Sequence, residues 1–234
     1  MLPGRLQVGP VETASRSQAS HAYEVIRGDI LAGRHKPEAK LKVQDLAGSL
    51  NVSAGAVREA LSRLVPEQLV VSRDQRGFLV APLSIADLED LTDLRCEIEA
   101  IALRKSIAHG DVEWEVGLLA AAHRLKLTPL MARDAAQALD RAWVTAHAAF
   151  HHALVAAAGS RRLLALHAQL YEQSERYRGL SAHSEKRRDV AGEHHKIVEL
   201  VLARDADAAI SAVNEHIRET AKMIIAGARM EAAE

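Results

Sequence analysis

Cysteine is almost missing from this 234-residue chain. Cys96 stands alone, so no intrachain disulfide can form and a Cys-based zinc finger is excluded. That usage fits a reducing compartment. Aromatic side chains make up only 3% of the chain while alanine is abundant, which favours closely packed helices over a large sheet. Long apolar runs are lacking too. None approaches the roughly 20 residues needed to cross a bilayer, and the N-terminus has no charged start followed by an apolar stretch, so it is not a secretory signal. A cytoplasmic protein with no membrane partner is expected. A strong net charge is also absent, at −1 overall. That total hides an asymmetry: residues 1–82 carry 11 Lys and Arg against 8 Asp and Glu, and residues 83–234 carry 19 against 23. A mildly basic front and an acidic back suit a nucleic-acid reader joined to a second unit. The length allows one large domain or two modest ones.

The most informative stretch runs from Leu46 to Leu64. Val57, Ala60, Leu61 and Leu64 fall at helical spacing and make one apolar face. Arg58 and Ser62 lie off that face, where a DNA major groove could meet them. Ser53 is placed to cap this helix, and Val52 with Val57 has the spacing of a hydrophobic staple. A preceding helix over about 43–50 completes a helix-turn-helix, and Pro66 should stop its second helix. An earlier helix over about 18–32 has Ala22, Ile26 and Ile30 on its stripe. Leu69-Val-Val-Ser and Gly77-Phe-Leu-Val flank a basic, glycine-containing tip and read as a hairpin. Together these make a winged helix-turn-helix over 18–82, preceded by a flexible tail at 1–17. Pro82-Leu-Ser84 begins a linker at 83–87. From Ser84, an N-cap, the pattern is helical throughout. Helices are expected to about His109 and at about 111–126, 132–158, 160–180, 183–204 and 205–229, an all-α bundle over 88–230. The fold class is therefore mainly α. No internal repeat is present.

Each domain offers its own chemistry. Arg58 suits the paired acceptors on a guanine edge. Ser53, at the positive end of its helix, could hold a phosphate. Arg73, Arg76 and Gly77 at the hairpin tip could reach a minor groove or phosphates, and Lys40 and Lys42 could add phosphate contacts. Ordinary solvated charge is the plainer reading of these residues. In the back domain His147 and His151 stand four apart on one helix face with Trp143 and Leu154. His194 lies between Val190 and Ile197 on an apolar face, and His216 follows Val213 by three. Inward side chains on facing helices are how bundles build metal sites, and imidazoles favour a transition metal, zinc with nickel as the alternative. His123, His152, His167, His183 and His195 read as satisfied core histidines.

The chain resembles the GntR family of bacterial transcription regulators, in its FadR-like branch with a six-helix effector domain of the FCD type. In front the resemblance rests on Ile30-Leu-Ala-Gly33, Leu46-Ala47, Val52-Ser53, Val57-Arg-Glu-Ala-Leu61 and Arg76-Gly77. Behind, it rests on Phe150-His151-His-Ala-Leu154, Ala157-Ala-Gly159, Glu193-His194 leading into Ile197, and His216. The resemblance implies a homodimer on double-stranded operator DNA with an inverted repeat, most often a repressor, controlled by a small-molecule effector. It also implies an Asp and three His around a metal. Here the three are His151, His194 and His216, with His147 where the family has Asp. Four neutral ligands leave about one more unit of positive charge on the ion, which favours a small carboxylate effector. Arg95 resembles the family arginine that meets such a carboxylate. An internal pair with Glu99, one turn on, is the equal alternative, and Arg178 and Arg188 are further candidates for the pocket. Three departures stand out. Ser53-Ala-Gly-Ala56 replaces the family's Ser-Arg-Thr-Pro, so an arginine is missing at Ala54. Glu38 and Gln68 replace family glycines. A regulator rather than an enzyme is expected. A metal-dependent hydrolase, or a constitutive DNA-binding protein with a vestigial pocket, are the other readings.

Overall fold

The computed structural model describes residues 17–73, 77–131, 139–178 and 188–231; side chains from 228 onward are outside the description. The front unit begins with α1 (Gln18–Leu31), capped by Ser17, whose hydroxyl accepts from Ser20 N. Ser17 is thus an ordered cap and not part of a tail. β1 (Lys40–Leu41), α2 (Val43–Leu50) and α3 (Ala54–Leu64) follow, and then the wing, β2 (Val70–Arg73) and β3 (Gly77–Val80). Ser53 caps α3 as its spacing implied, accepting from Ala56 N at 3.2 Å. Helix α3 stops before Pro66, as the missing N–H requires.

β1 escaped the sequence reading. Two residues carry no periodic signal, and only pairing with β3 defines the strand: Lys40 opposes Leu79 and Leu41 opposes Phe78. The antiparallel sheet has the order β1-β3-β2. Gly77 opens β3 at φ +75°, a left-handed conformation that glycine adopts without strain. The two positions where glycine is replaced are left-handed as well, Glu38 at φ 63° and Gln68 at φ 58°. Ile26, Ile30, Leu41, Val57, Leu61 and Val80 anchor a core belonging to this unit.

The back unit is helical: α4 (Ile85–His109), α5 (Val112–Leu127), α6 (Arg141–Val155), α7 (Arg161–Arg178), α8 (Val190–Leu202) and α9 (Ala206–Glu231). Two starts differ from expectation. α6 begins at Arg141 rather than 132, because Asp140 caps it and a bridge between Met131 and Leu139 precedes it. Residues 132–138 lie outside the described residues. α8 begins at Val190, capped by Asp189, and not at 183; residues 183–187 also lie outside. α6 ends at Val155, three residues short of the expected end, and α7 is described to Arg178. The main core gathers Leu103, Leu118, Phe150, Leu154, Ile197 and Val213 from five of the helices.

Candidate metal centre and DNA-facing surface

Helices α6, α8 and α9 bring His147, His151, His194 and His216 together. One ligand atom from each lies within 4.8 Å of all the others, and all four side chains are buried. His147 and His151 project together because residues four apart share a helix face. His147 stacks on Trp143, centroids 4.6 Å apart, which fixes its ring plane. It therefore sits in the cluster and not outside it.

Burial holds these imidazoles neutral. It is the largest influence on each and drives the pKa down. For His147 the guanidinium of Arg178 adds to it, and for His151 the neighbouring His216 does. His194 falls to about 2 through burial and His216. His216 falls only to about 4, because a hydrogen bond with Glu193 opposes its burial. Neutral imidazoles are the form that ligates metals. His151 Nδ1 and His194 Nε2 are buried without a hydrogen-bond partner, a costly arrangement unless something coordinates there.

The surrounding shell was only partly visible in the sequence. The Tyr171 hydroxyl lies 2.8 Å from His147 Nδ1, and Glu193 Oε2 lies 2.7 Å from His216 Nδ1. Burial pushes the Glu193 carboxyl up, but hydrogen bonds from His216 and Arg188 hold it at about 2. Such partners orient metal-binding histidines and set their tautomers. Tyr171 had a faint signal, its spacing of four from His167. Glu193 stood next to His194 but gave no sign of its role.

The basic candidates separate. Arg95 is buried, donates from Nη1 to Ser174 Oγ at 2.6 Å, and has its guanidinium carbon 4.9 Å from the Tyr171 ring centroid. It does not pair with Glu99. Glu99 instead reaches His167 Nε2 at 2.9 Å, both fully or nearly fully buried. Residues four apart can meet, but here Glu99 Oε2 bonds His167 on α7 while its Oε1 is buried without a hydrogen-bond partner. Arg178 is buried against His147, with Nη1 2.8 Å from Nδ1, and also meets Glu175. Arg188 braces α8 and α9 by donating to Glu193, Thr220 and the His216 carbonyl. Among the core histidines, His167 is buried but its Nδ1 has no partner, and His152 is half-buried. His123 and His195 are exposed, which corrects their core reading; the i,i+4 ion pair of His195 with Glu199 shows it on a solvated face. His183 lies outside the described residues.

On the front unit Arg58 and Ser62 are exposed on α3, opposite the buried Val57, Ala60 and Leu61. Ser53 N donates to Gln18 Oε1, tying α3 to α1. Lys40 is exposed on β1; Lys42 is exposed too and pairs loosely with Asp45 at 3.7 Å. Arg73 and Gly77 are exposed on the wing, and Arg76 lies outside the described residues. The described helices include none long and apolar enough to cross a membrane.

Known proteins resemble this chain in sequence and in fold. Residues 18–80 match the bacterial regulatory proteins of the gntR family, and residues 90–219 match the FCD domain. The HTH-type transcriptional regulator BphR of Paraburkholderia xenovorans LB400 is 38% identical over 220 residues, covering 92% of this chain and 89% of that one. The HTH-type transcriptional repressor GlaR of Escherichia coli K12 is 36% identical over 200 residues, covering 83% and 90%. In fold, the transcriptional regulator GntR of Rhodococcus sp. RHA1 superimposes with a TM-score of 0.70 at 22% identity, over 90% of this chain and 98% of that one. E. coli McbR/YncC gives 0.71 at 18%, over 89% and 97%.

Proposed function

The chain belongs to the gntR family of bacterial regulatory proteins, in the branch that carries an FCD domain, and we propose that it is a metal-containing repressor released by a small carboxylate. In this reading a cytoplasmic homodimer lays α3 of each copy into the major groove of one operator half-site. Arg58 reads a guanine, Ser62 lies beside it, and Ser53, Lys40, Lys42, Arg73, Arg76 and Gly77 hold or approach the backbone.

His147, His151, His194 and His216 would hold the ion, zinc or nickel by the all-imidazole donor set. When bound, it would offer a Lewis-acidic position to a carboxylate oxygen. Four neutral ligands leave its charge unbalanced, so an anion is the natural fifth partner. Arg95 lies at the same Tyr171 ring that orients His147, and its buried Nε has no partner. It supplies the fork that such an anion requires. To ligate through Nε2, a neutral His147 must carry its proton on Nδ1 and donate it to Tyr171. An arginine cannot accept that proton, so the present Arg178–His147 contact and ligation belong to different states.

The observation that carries this reading is the double duty of α7. Tyr171 and Ser174 serve the histidine site. Their neighbours hold the DNA-binding unit. Glu172 binds Arg27 of α1, which also donates from Nε to Glu67 at 2.8 Å. Gln173 donates to the Glu67 carbonyl at 2.8 Å, and Arg176 donates to the Ala81 carbonyl. A ligand regulates only if it binds one arrangement better than the other, and α7 is the element both sites touch. A hydrolase would need a carboxylate free to take a proton from water. Glu193 is occupied by His216 and Arg188, and Glu99 is fully buried beside His167, away from solvent water, which supports a regulator that is not an enzyme.

The test is metal content by plasma mass spectrometry on untagged protein, with mobility shifts on DNA from its own promoter region. About one transition metal per chain is expected, lost in His151→Ala, with small carboxylates weakening DNA binding only when the metal is present. DNA affinity that ignores both metal and every carboxylate would overturn the proposal.

A further inference from the structure

Helix α5 packs inward through Trp114, Leu118 and Leu125. Its opposite face is apolar as well. Val112, Val116, Leu119 and Leu127 are 69%, 54%, 45% and 70% exposed. With Ala120 and His123 they form one stripe at helical spacing. A single exposed leucine is ordinary, but a stripe along a whole 16-residue helix marks an interaction surface. We propose that a second copy of this chain docks here, α5 against α5, antiparallel about a twofold axis between Leu119 and Ala120. This rests on the homodimer of the proposed function and assigns its surface.

An isologous contact must be complementary to itself, and this stripe is. The axis sets Val112 against the other copy's Leu127, Val116 against the other copy's His123, and Leu119 against the other copy's Ala120. No charged side chain falls on the seam. Glu113 flanks the stripe near its start, and Arg124 flanks it on the same side near its end. Both are exposed, and neither joins an ion pair among the described residues. Reversal of the second helix brings each Glu113 beside the other copy's Arg124. The helix dipole accounts for acids first and bases last; it does not account for their sharing one flank.

A groove supplies the second argument. About 550 Å³ in volume, it opens between α5 and the end of α6, with a floor of Trp114, Leu118, Ala153 and Ala157 and a rim that includes Asp111 and Glu113. Its chemistry calls for an apolar side chain accompanied by bases. Leu127, next to Lys126 and three residues from Arg124, answers that description, and the antiparallel pair carries it to the level of Val112, between the rim residues Asp111 and Glu113. Gly117 has no heavy atom within 4 Å of where a Cβ would stand, so a neighbouring chain can come close there.

The experiment uses the full chain. Ala120→Cys should form a disulfide-linked dimer with diamide on a non-reducing gel, because two copies of residue 120 meet at the axis. The native Cys96 is buried at 2% exposure and gives no background. Ile101→Cys, on the exposed face of α4, should not cross-link. By sedimentation, Glu113→Arg should raise the dimer dissociation constant about tenfold or more, and the double variant Glu113→Arg with Arg124→Glu should return it to within about threefold of the parent. A dimer that resists both changes, or cross-links at 101 instead, overturns this surface and leaves the proposed function standing. A chain that stays monomeric even on operator DNA overturns both.

Discussion

The two halves of this protein handle polarity in opposite ways. Among the described residues, every buried side chain of the front unit is apolar, whereas the back unit buries Arg95, Glu99, Arg176, Arg178 and five histidines. The front keeps an apolar core and leaves its charged candidates, Arg58 and Arg73 among them, on the surface. The back turns charged and imidazole groups inward, where each polar atom must find a partner or pay in desolvation. Binding a large, charged surface such as DNA needs only a well-shaped exterior. Holding a small ligand needs an interior, and that interior costs stability until it is filled.

Acid should expose this contrast most strongly. His216 titrates near 4 in the fold against 6.5 when unfolded, because burial outweighs its bond with Glu193. The unfolded chain then binds more protons over that interval, so stability is full above about pH 6.5 and is lost as pH falls toward 4. For metal-free protein the loss through His216 alone should be of order 3 kcal/mol. Urea melts at pH 7 and 5 would show it, with a flatter profile in His216→Gln. Equal stability at the two values would erase the distinction between the halves.

Arg58→Ala comes next. Loss of a paired base contact should weaken operator binding by about 1–3 kcal/mol and relax sequence preference. The melting midpoint should stay within about 0.5 kcal/mol of the parent, because the side chain is exposed. A large fall in stability would mean that the front surface is structural after all. Arg27→Met should be smaller, about 1 kcal/mol, and should appear as a change in how strongly effector alters DNA affinity. Titrating effector with and without operator measures that coupling, and an unchanged ratio would exclude the α7 contact as the link. Smallest is Glu38→Gly. Relief of a left-handed residue should stabilise by roughly 0.5–1 kcal/mol, read from the urea midpoint; a loss would show that the Glu38 side chain supports the fold.

Much of this architecture could be read from the chain because it is local. The caps at Ser53 and Ser84, the stripe of α3 and the four inward histidines each repeat within a few residues, so spacing reveals them. What stayed hidden depends on distance along the chain. β1 exists only through β3, forty residues on. A pair between Glu99 and its helical neighbour Arg95 was one of two equal readings, yet Glu99 bonds His167 on another helix. The Arg27–Glu172 pair joins residues 145 apart, and no periodicity announces it. The starts of α6 and α8 were misjudged because helix propensity continues upstream of Asp140 and Asp189, and the cap alone decides the boundary.

Tyr171 and Glu172 are consecutive on α7, one facing His147 and the other Arg27. Adjacent helical residues point about 100° apart, and a helix turns as a rigid rod. Any roll that tightens the tyrosine against its imidazole must swing the glutamate by the same angle around the axis. The two contacts therefore cannot both be optimal at every setting. They are geared together, and two neighbouring teeth on one rod need neither a hinge nor a chain of intermediaries to carry a small adjustment in the interior to the DNA-reading head.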